Sequence, residues 1–126
     1  MSMRTPLGRV LGLGSAKAGT EHWWMERVSS IALVPLTVFL VVFVITHLGA
    51  TRAELVASIS NPFVAILLSL TMIVTLWHMR LGLQVVIEDY IHAPIAKFSA
   101  LLFNSSLTAV LGVAALYAIL KMSFGL

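Results

Sequence analysis

The sequence predicts an all-α integral membrane protein built from three transmembrane helices. Three uncharged apolar runs, each long enough to cross a bilayer, account for most of the chain. Charged residues make up only 10% of it against 60% hydrophobic ones, and the mean hydropathy is +1.02. A soluble domain carries roughly 25% charged residues, so this chain has too few to wet a globular surface. In hydrocarbon only helices or closed barrels satisfy the backbone, and the runs lack the alternation of a barrel strand. The 126 residues are read as one transmembrane domain, 1–126, with no room for a large domain outside the membrane.

The first span is expected at about 28–48. No charge falls between Arg27 and Arg52, and a run of about 20 apolar residues at 1.5 Å each matches a hydrocarbon core of ~30 Å. The opening Met1–Gly19 is polar and glycine-containing, and Glu21 and His22 follow it. The apolar run is too long for the core of a secretory signal, so it is read as a retained helix preceded by residues 1–27. Trp23 and Trp24 stand just before it, where amphipathic rings favour the membrane interface. Pro35, one to two turns in, predicts a mild kink.

The second span is expected at about 62–89. Asn61 suits an N-cap, and Pro62 suits the first helical position because its missing N–H had no partner there. The run then continues to His92-Ala93-Pro94, which breaks it. About 28 residues, or ~42 Å, exceed what a bilayer needs, so the C-terminal end of this helix should stand in the headgroup region or beyond. The third span is expected at about 98–120, uncharged between Lys97 and Lys121. Gly112 and Ala115 offer a weak small-residue signal for close helix packing. The chain shows no internal repeat.

Lys and Arg bias toward the cytoplasm orients such a protein. Arg4, Arg9, Lys17, Arg27 and Lys97 lie on one side, against Arg52 and Lys121 on the other. The N-terminal segment 1–27 and the loop near 88–97 should therefore be cytoplasmic. The same scattering explains the net charge of +3 better than nucleic-acid binding does. With no cysteine there is no disulfide framework and no thiolate metal site. Arg9–Gly19 lacks both the Gly-Lys-Ser/Thr ending and the preceding strand of a phosphate loop. No nucleophile–base pair, paired catalytic carboxylates or zinc spacing appears, so the chain alone is not expected to make or break bonds.

The polar exceptions carry the functional signal. His78 and Arg80 lie inside the second span, where ionisable groups are costly and suggest function. On a helical wheel His78, Gly82, Val85 and Asp89 share one stripe. The imidazole above a glycine fits an axial haem ligand, with a flat macrocycle against the backbone; the residues alone also fit, and more readily, a histidine bonded across a helix interface. A six-coordinate haem needs a second ligand. His47 lies on the opposite membrane face, while His22 and His92 flank the spans, so that ligand would come from another subunit.

Tyr90, after Glu88-Asp89, can hydrogen-bond an oxygen-bearing amphiphile or act as an interfacial anchor. Arg27 can pair with an anion such as a haem propionate or hold lipid phosphate. Arg80, about 200° around the wheel from His78, is expected to snorkel or pack against a partner.

Two segments resemble the hydrophobic membrane anchor subunit of bacterial succinate dehydrogenase, respiratory complex II. They are RVLGLGSAKAGTEHWWMERVSSIALVPL at 9–36 and HMRLGLQVVIEDY at 78–90, the latter a histidine followed twelve residues later by the tyrosine of an Asp-Tyr pair. The three-span layout extends the resemblance over essentially the whole chain. It implies a helical bundle with a companion cytochrome b subunit that binds haem b and supplies its other ligand. His78 matches the axial ligand to the haem iron, and Arg27 an arginine near the propionates and quinone pocket. Tyr90 matches the tyrosine that hydrogen-bonds ubiquinone, with Asp89 its neighbour.

The resemblance also implies a flavoprotein subunit with FAD and an iron–sulfur subunit carrying the clusters. The setting would be the bacterial inner membrane and the reaction electron transfer from succinate to ubiquinone. Other readings are the anchor of a fumarate reductase or another quinone-linked complex, or a structural membrane subunit without cofactor.

Overall fold

The computed structural model describes residues 5–12 and 18–126. Arg4 and Lys17, two of the charges that orient the chain, lie outside the described residues, as do residues 13–17 of the glycine-containing segment at 9–19. In chain order the helices are α1 (Pro6–Val10), α2 (Ala18–Thr46), α3 (Arg52–Ile59), α4 (Pro62–Tyr90) and α5 (Pro94–Ser123). Among the described residues there is no strand. Helices α2, α4 and α5 are each long and apolar enough to cross a membrane.

Helix α4 starts as its sequence dictates. The Asn61 side chain accepts a hydrogen bond from the Phe63 amide at 3.0 Å, and Pro62 occupies the first turn. Its 29 residues span ~43 Å at 1.5 Å per residue. Pro94 both ends it and opens α5. A residue before proline avoids the helical region, and Ala93 is extended at φ −66, ψ 124. Only residues 91–93 separate the two helices, and α5 begins four residues before its uncharged run.

Helix α2 likewise begins at Ala18, ten residues ahead of the apolar run, with Glu21 in its first turn. An acidic group there meets the positive end of the helix dipole. Residues 18–27 thus form a helical extension carrying Trp23, Trp24 and Arg27. Pro35 lies inside α2, which continues to Thr46. Gly49 then turns the chain at φ +78, a left-handed conformation that glycine adopts without strain.

Helix α3 is separated from the second span by Ser60 and Asn61, although the uncharged stretch from Leu55 runs through both. Its start is a capping box: Thr51 accepts from the Glu54 amide, and Glu54 accepts from the Thr51 amide.

The three long helices run antiparallel in sequence, with α4 in the middle. Helices α2 and α5 pack on α4 and do not approach each other closely, so the molecule is a layer of three helices. At one end Ile59, Ala65 and Leu68 are buried beneath Phe39, Leu40 and Phe43 of α2 and Ile119 and Met122 of α5. Towards the other end Asn104 of α5, only 4% exposed, donates its amide to the Arg80 carbonyl at 3.0 Å. A Cβ on Gly112 would sit 3.6 Å from Leu76, an ordinary contact, so that glycine is not required for close approach. Only 11%, 17% and 11% of the most apolar windows of the three spans are buried. Most of the apolar surface therefore faces outward, as suits lipid and other membrane chains.

Candidate functional site

The first half of α2 and the second half of α4 lie against each other, and a hydrogen bond between polar side chains joins them there. His78 of α4 is partly buried, and its Nδ1 lies 2.9 Å from Oγ of Ser29 in α2. Ser29 is 7% exposed, and its hydroxyl donates to the Glu26 carbonyl at 2.9 Å. His78 Nε2 makes no hydrogen bond among the described residues. Both readings of this histidine have a physical counterpart: one nitrogen bonds across the helix interface, and the other remains available. One turn along, no atom outside the helix backbone comes within 4 Å of where a Gly82 Cβ would stand.

Ser29 escaped sequence reasoning. Its partner is 49 residues away, and a serine near the start of an apolar run carries no local mark of that pairing.

The other sequence candidates are spread out. Tyr90 is 80% exposed at the last residue of α4, ~18 Å along the axis from His78 at 1.5 Å per residue. Asp89 is exposed beside it. Arg27 is exposed, its guanidinium 5.5 Å from the centroid of the Trp23 ring. Two residues before Ser29, it lies about 200° around α2 from the face that meets His78. The structure therefore joins His78 to α2 through Ser29 and leaves Arg27 and Tyr90 on separate outward faces.

Arg80 packs within its own chain, its guanidinium 5.5 Å from the Trp77 ring. Gln84 donates to Glu88 at 2.9 Å.

The remaining histidines divide by position. His47 is committed at the far end of α2. Its Nδ1 lies 2.7 Å from the Phe43 carbonyl, its Nε2 2.6 Å from Ser58 Oγ, and its ring stacks on Phe43 at 4.3 Å. It ties α2 to α3. His92 is exposed in the link after α4. His22 contributes, with Glu21, Met25, Trp77, Gln84 and Glu88, to a groove of about 460 Å³ between α2 and α4. Its Nε2 is buried without a partner among the described residues, as is Oδ1 of Asn104.

Among the described residues no three His, Cys, Asp or Glu side chains converge on a metal position. The donor set of the described residues does not fit a metal held by this chain's side chains alone. One imidazole with a free nitrogen beside a glycine fits a macrocycle that brings its own four nitrogens, completed from another chain.

Residues 1–120 match the family described as succinate dehydrogenase/fumarate reductase transmembrane subunit. The chain is 34% identical over 121 residues to the succinate dehydrogenase hydrophobic membrane anchor subunit of Paracoccus denitrificans, a match that covers 96% of this chain and 93% of that one. With the same subunit of Rickettsia conorii it shares 38% over 79 residues, 62% of this chain and 63% of the relative. With the succinate dehydrogenase membrane anchor subunit of Reclinomonas americana it shares 33% over 79 residues, 60% and 66% respectively. No solved structure matches it.

Proposed function

The chain belongs to the family of succinate dehydrogenase/fumarate reductase transmembrane subunits, and from that premise we propose that it anchors a succinate:ubiquinone oxidoreductase in the bacterial inner membrane. Its N-terminus faces the cytoplasm in this reading, supported by the Lys and Arg distribution. A flavoprotein subunit with FAD oxidises succinate, an iron–sulfur subunit carries the electrons, and a cytochrome b subunit completes the membrane part. The observation that carries the reading is His78, held inside a membrane span by Ser29 with Nε2 unpaired among the described residues, in a chain whose relatives are named as such anchors.

His78 would hold haem b through Nε2, with Gly82 leaving room beside the ring. Arg27 would meet a propionate or a lipid phosphate with a charge-assisted bond. When bound, the haem would supply a reversible one-electron centre. Tyr90 stands where a quinone headgroup would meet an iron–sulfur partner. Ubiquinone takes up two electrons and two protons to become the quinol. The Tyr90 phenol donates a hydrogen bond to one quinone oxygen and so stabilises the negative charge that develops there. Asp89 lies beside it at the aqueous edge.

Fumarate reduction is the same chemistry run in the other direction, and the family description covers both. The direction is set by the potentials of quinone and partners.

Purification through a tag on this chain in mild detergent tests the anchor role. Flavoprotein and iron–sulfur subunits should co-purify, and the preparation should reduce ubiquinone with succinate. An intact preparation with neither subunit would remove the oxidoreductase reading and leave a membrane protein of another kind.

A further inference from the structure

We propose that Ser29 is a positioning residue that fixes His78 in the tautomer with hydrogen on Nδ1 and the lone pair on Nε2. The inference rests on the reading of His78 as the haem ligand and says what makes that nitrogen available.

A serine hydroxyl has one hydrogen to donate and lone pairs to accept with. Ser29 Oγ has two neighbours, the Glu26 carbonyl and His78 Nδ1, each at 2.9 Å. The carbonyl can only accept, so in the arrangement that forms both bonds the hydroxyl hydrogen points to it. What faces the ring is then a lone pair, and Nδ1 must carry the hydrogen that completes the second bond. A neutral imidazole has a single N–H, so Nε2 is left unprotonated.

A competing arrangement exists, because Ser30 also donates to the Glu26 carbonyl, at 2.8 Å. If Ser29 gave its hydrogen to the ring instead, Nε2 would carry the N–H. That donor has no acceptor among the described residues, and an unpaired donor inside a membrane span is costly. A shared carbonyl with both serines donating keeps every hydrogen paired.

The consequence is directional. A metal-binding histidine that donates its other N–H is fixed in ring orientation and made a stronger electron donor. Here the chain Nδ1–H to Ser29 Oγ to Glu26 carbonyl would do both. The burial of Ser29 at 7% exposure keeps water from competing for either bond. Ser29 touches no reacting atom; it acts through His78.

Nitrogen NMR reads the tautomer directly. Full-length chain with 15N-labelled histidine, in detergent and without haem, gives long-range proton–nitrogen spectra in which protonated and unprotonated ring nitrogens separate. His78 is assigned by the signal lost in His78→Gln. The expected result is hydrogen on Nδ1 in the unsubstituted chain, a shift of population toward the Nε2–H form in Ser29→Ala, and its return in Ser29→Thr. Hydrogen on Nε2 in the unsubstituted chain, or no change in Ser29→Ala, overturns the proposal.

In the assembled complex, Ser29→Ala should raise the haem midpoint potential, because a weaker donor stabilises the ferric state less; Ser29→Thr should restore it. An unmoved potential in a haem-containing Ser29→Ala complex overturns the electronic part. The nitrogen spectra need no haem, so they decide the role of Ser29 separately from the ligand role of His78. Absence of a haem band in the unsubstituted complex removes the ligand reading alone.

Discussion

Tyr90 ends α4 with 80% of its surface exposed, and its phenol makes no hydrogen bond among the described residues. An amphipathic ring with such a hydroxyl at a helix end can receive a ligand oxygen without first giving up an internal partner. Replacing it by phenylalanine keeps the ring and removes only the donor. We expect Tyr90→Phe to assemble with unchanged haem content and to lose about tenfold in quinone reductase rate, the scale of one hydrogen bond of roughly 1–1.5 kcal/mol. Steady-state assays with ubiquinone check this, and an unaltered rate would contradict the role.

At this scale His78, Arg27, Asp89 and Tyr90 can be picked out from sequence because an ionisable or amphipathic residue stands out against an apolar run. Ser29 and Asn104 cannot. Each owes its meaning to a partner on another helix, His78 for one and the Arg80 carbonyl for the other, and no spacing along the chain reports that. His47 shows the opposite case: a histidine near a span end that is fully employed in joining α2 to α3.

Helix ends are decided by local chemistry, and hydropathy is a poor guide to them. The start of α4 is written in Asn61-Pro62, and the stop in Pro94, so both follow from sequence. The starts of α2 and α5 do not follow from the apolar runs, because polar residues continue a helix once it leaves hydrocarbon. Helix α3 is hidden inside an uncharged stretch, yet Thr51-Arg52-Ala53-Glu54 carries its signature.

That box gives the element its own prediction. Bonds from the Thr51 backbone amide first and the Thr51 hydroxyl second hold the Glu54 carboxyl below its ordinary value of 4.5, with the nearby His47 a smaller contribution. A carboxyl whose folded pKa is depressed contributes stability above its unfolded value and loses it as pH falls through the folded one. Helix α3 should therefore lose hydrogen-exchange protection over Arg52–Ile59 on acidification below about pH 4.5. In Glu54→Ala the protection should be low at every pH. A protection profile in the unsubstituted chain that ignores this range would contradict the box's contribution.

Across the whole molecule the three long helices form a layer, with α4 touching both neighbours and α2 and α5 apart. Three spans and their alternating direction follow from hydropathy alone, since each run is too long and too apolar for anything else. Which faces meet does not follow, because all three helices are apolar nearly all round. The open arrangement bears on the proposed function: in that reading the His78 imidazole, with Nε2 unpaired among the described residues and on a layer with outward faces, would be half of a cofactor site that another membrane chain completes. The most direct test is a reduced-minus-oxidised optical spectrum of the complex purified through this chain, beside the same complex carrying His78→Ala. A b-type haem band together with flavin, with the haem band altered or lost in the variant, is the expected result. An identical haem spectrum in the two complexes would contradict the assignment of His78.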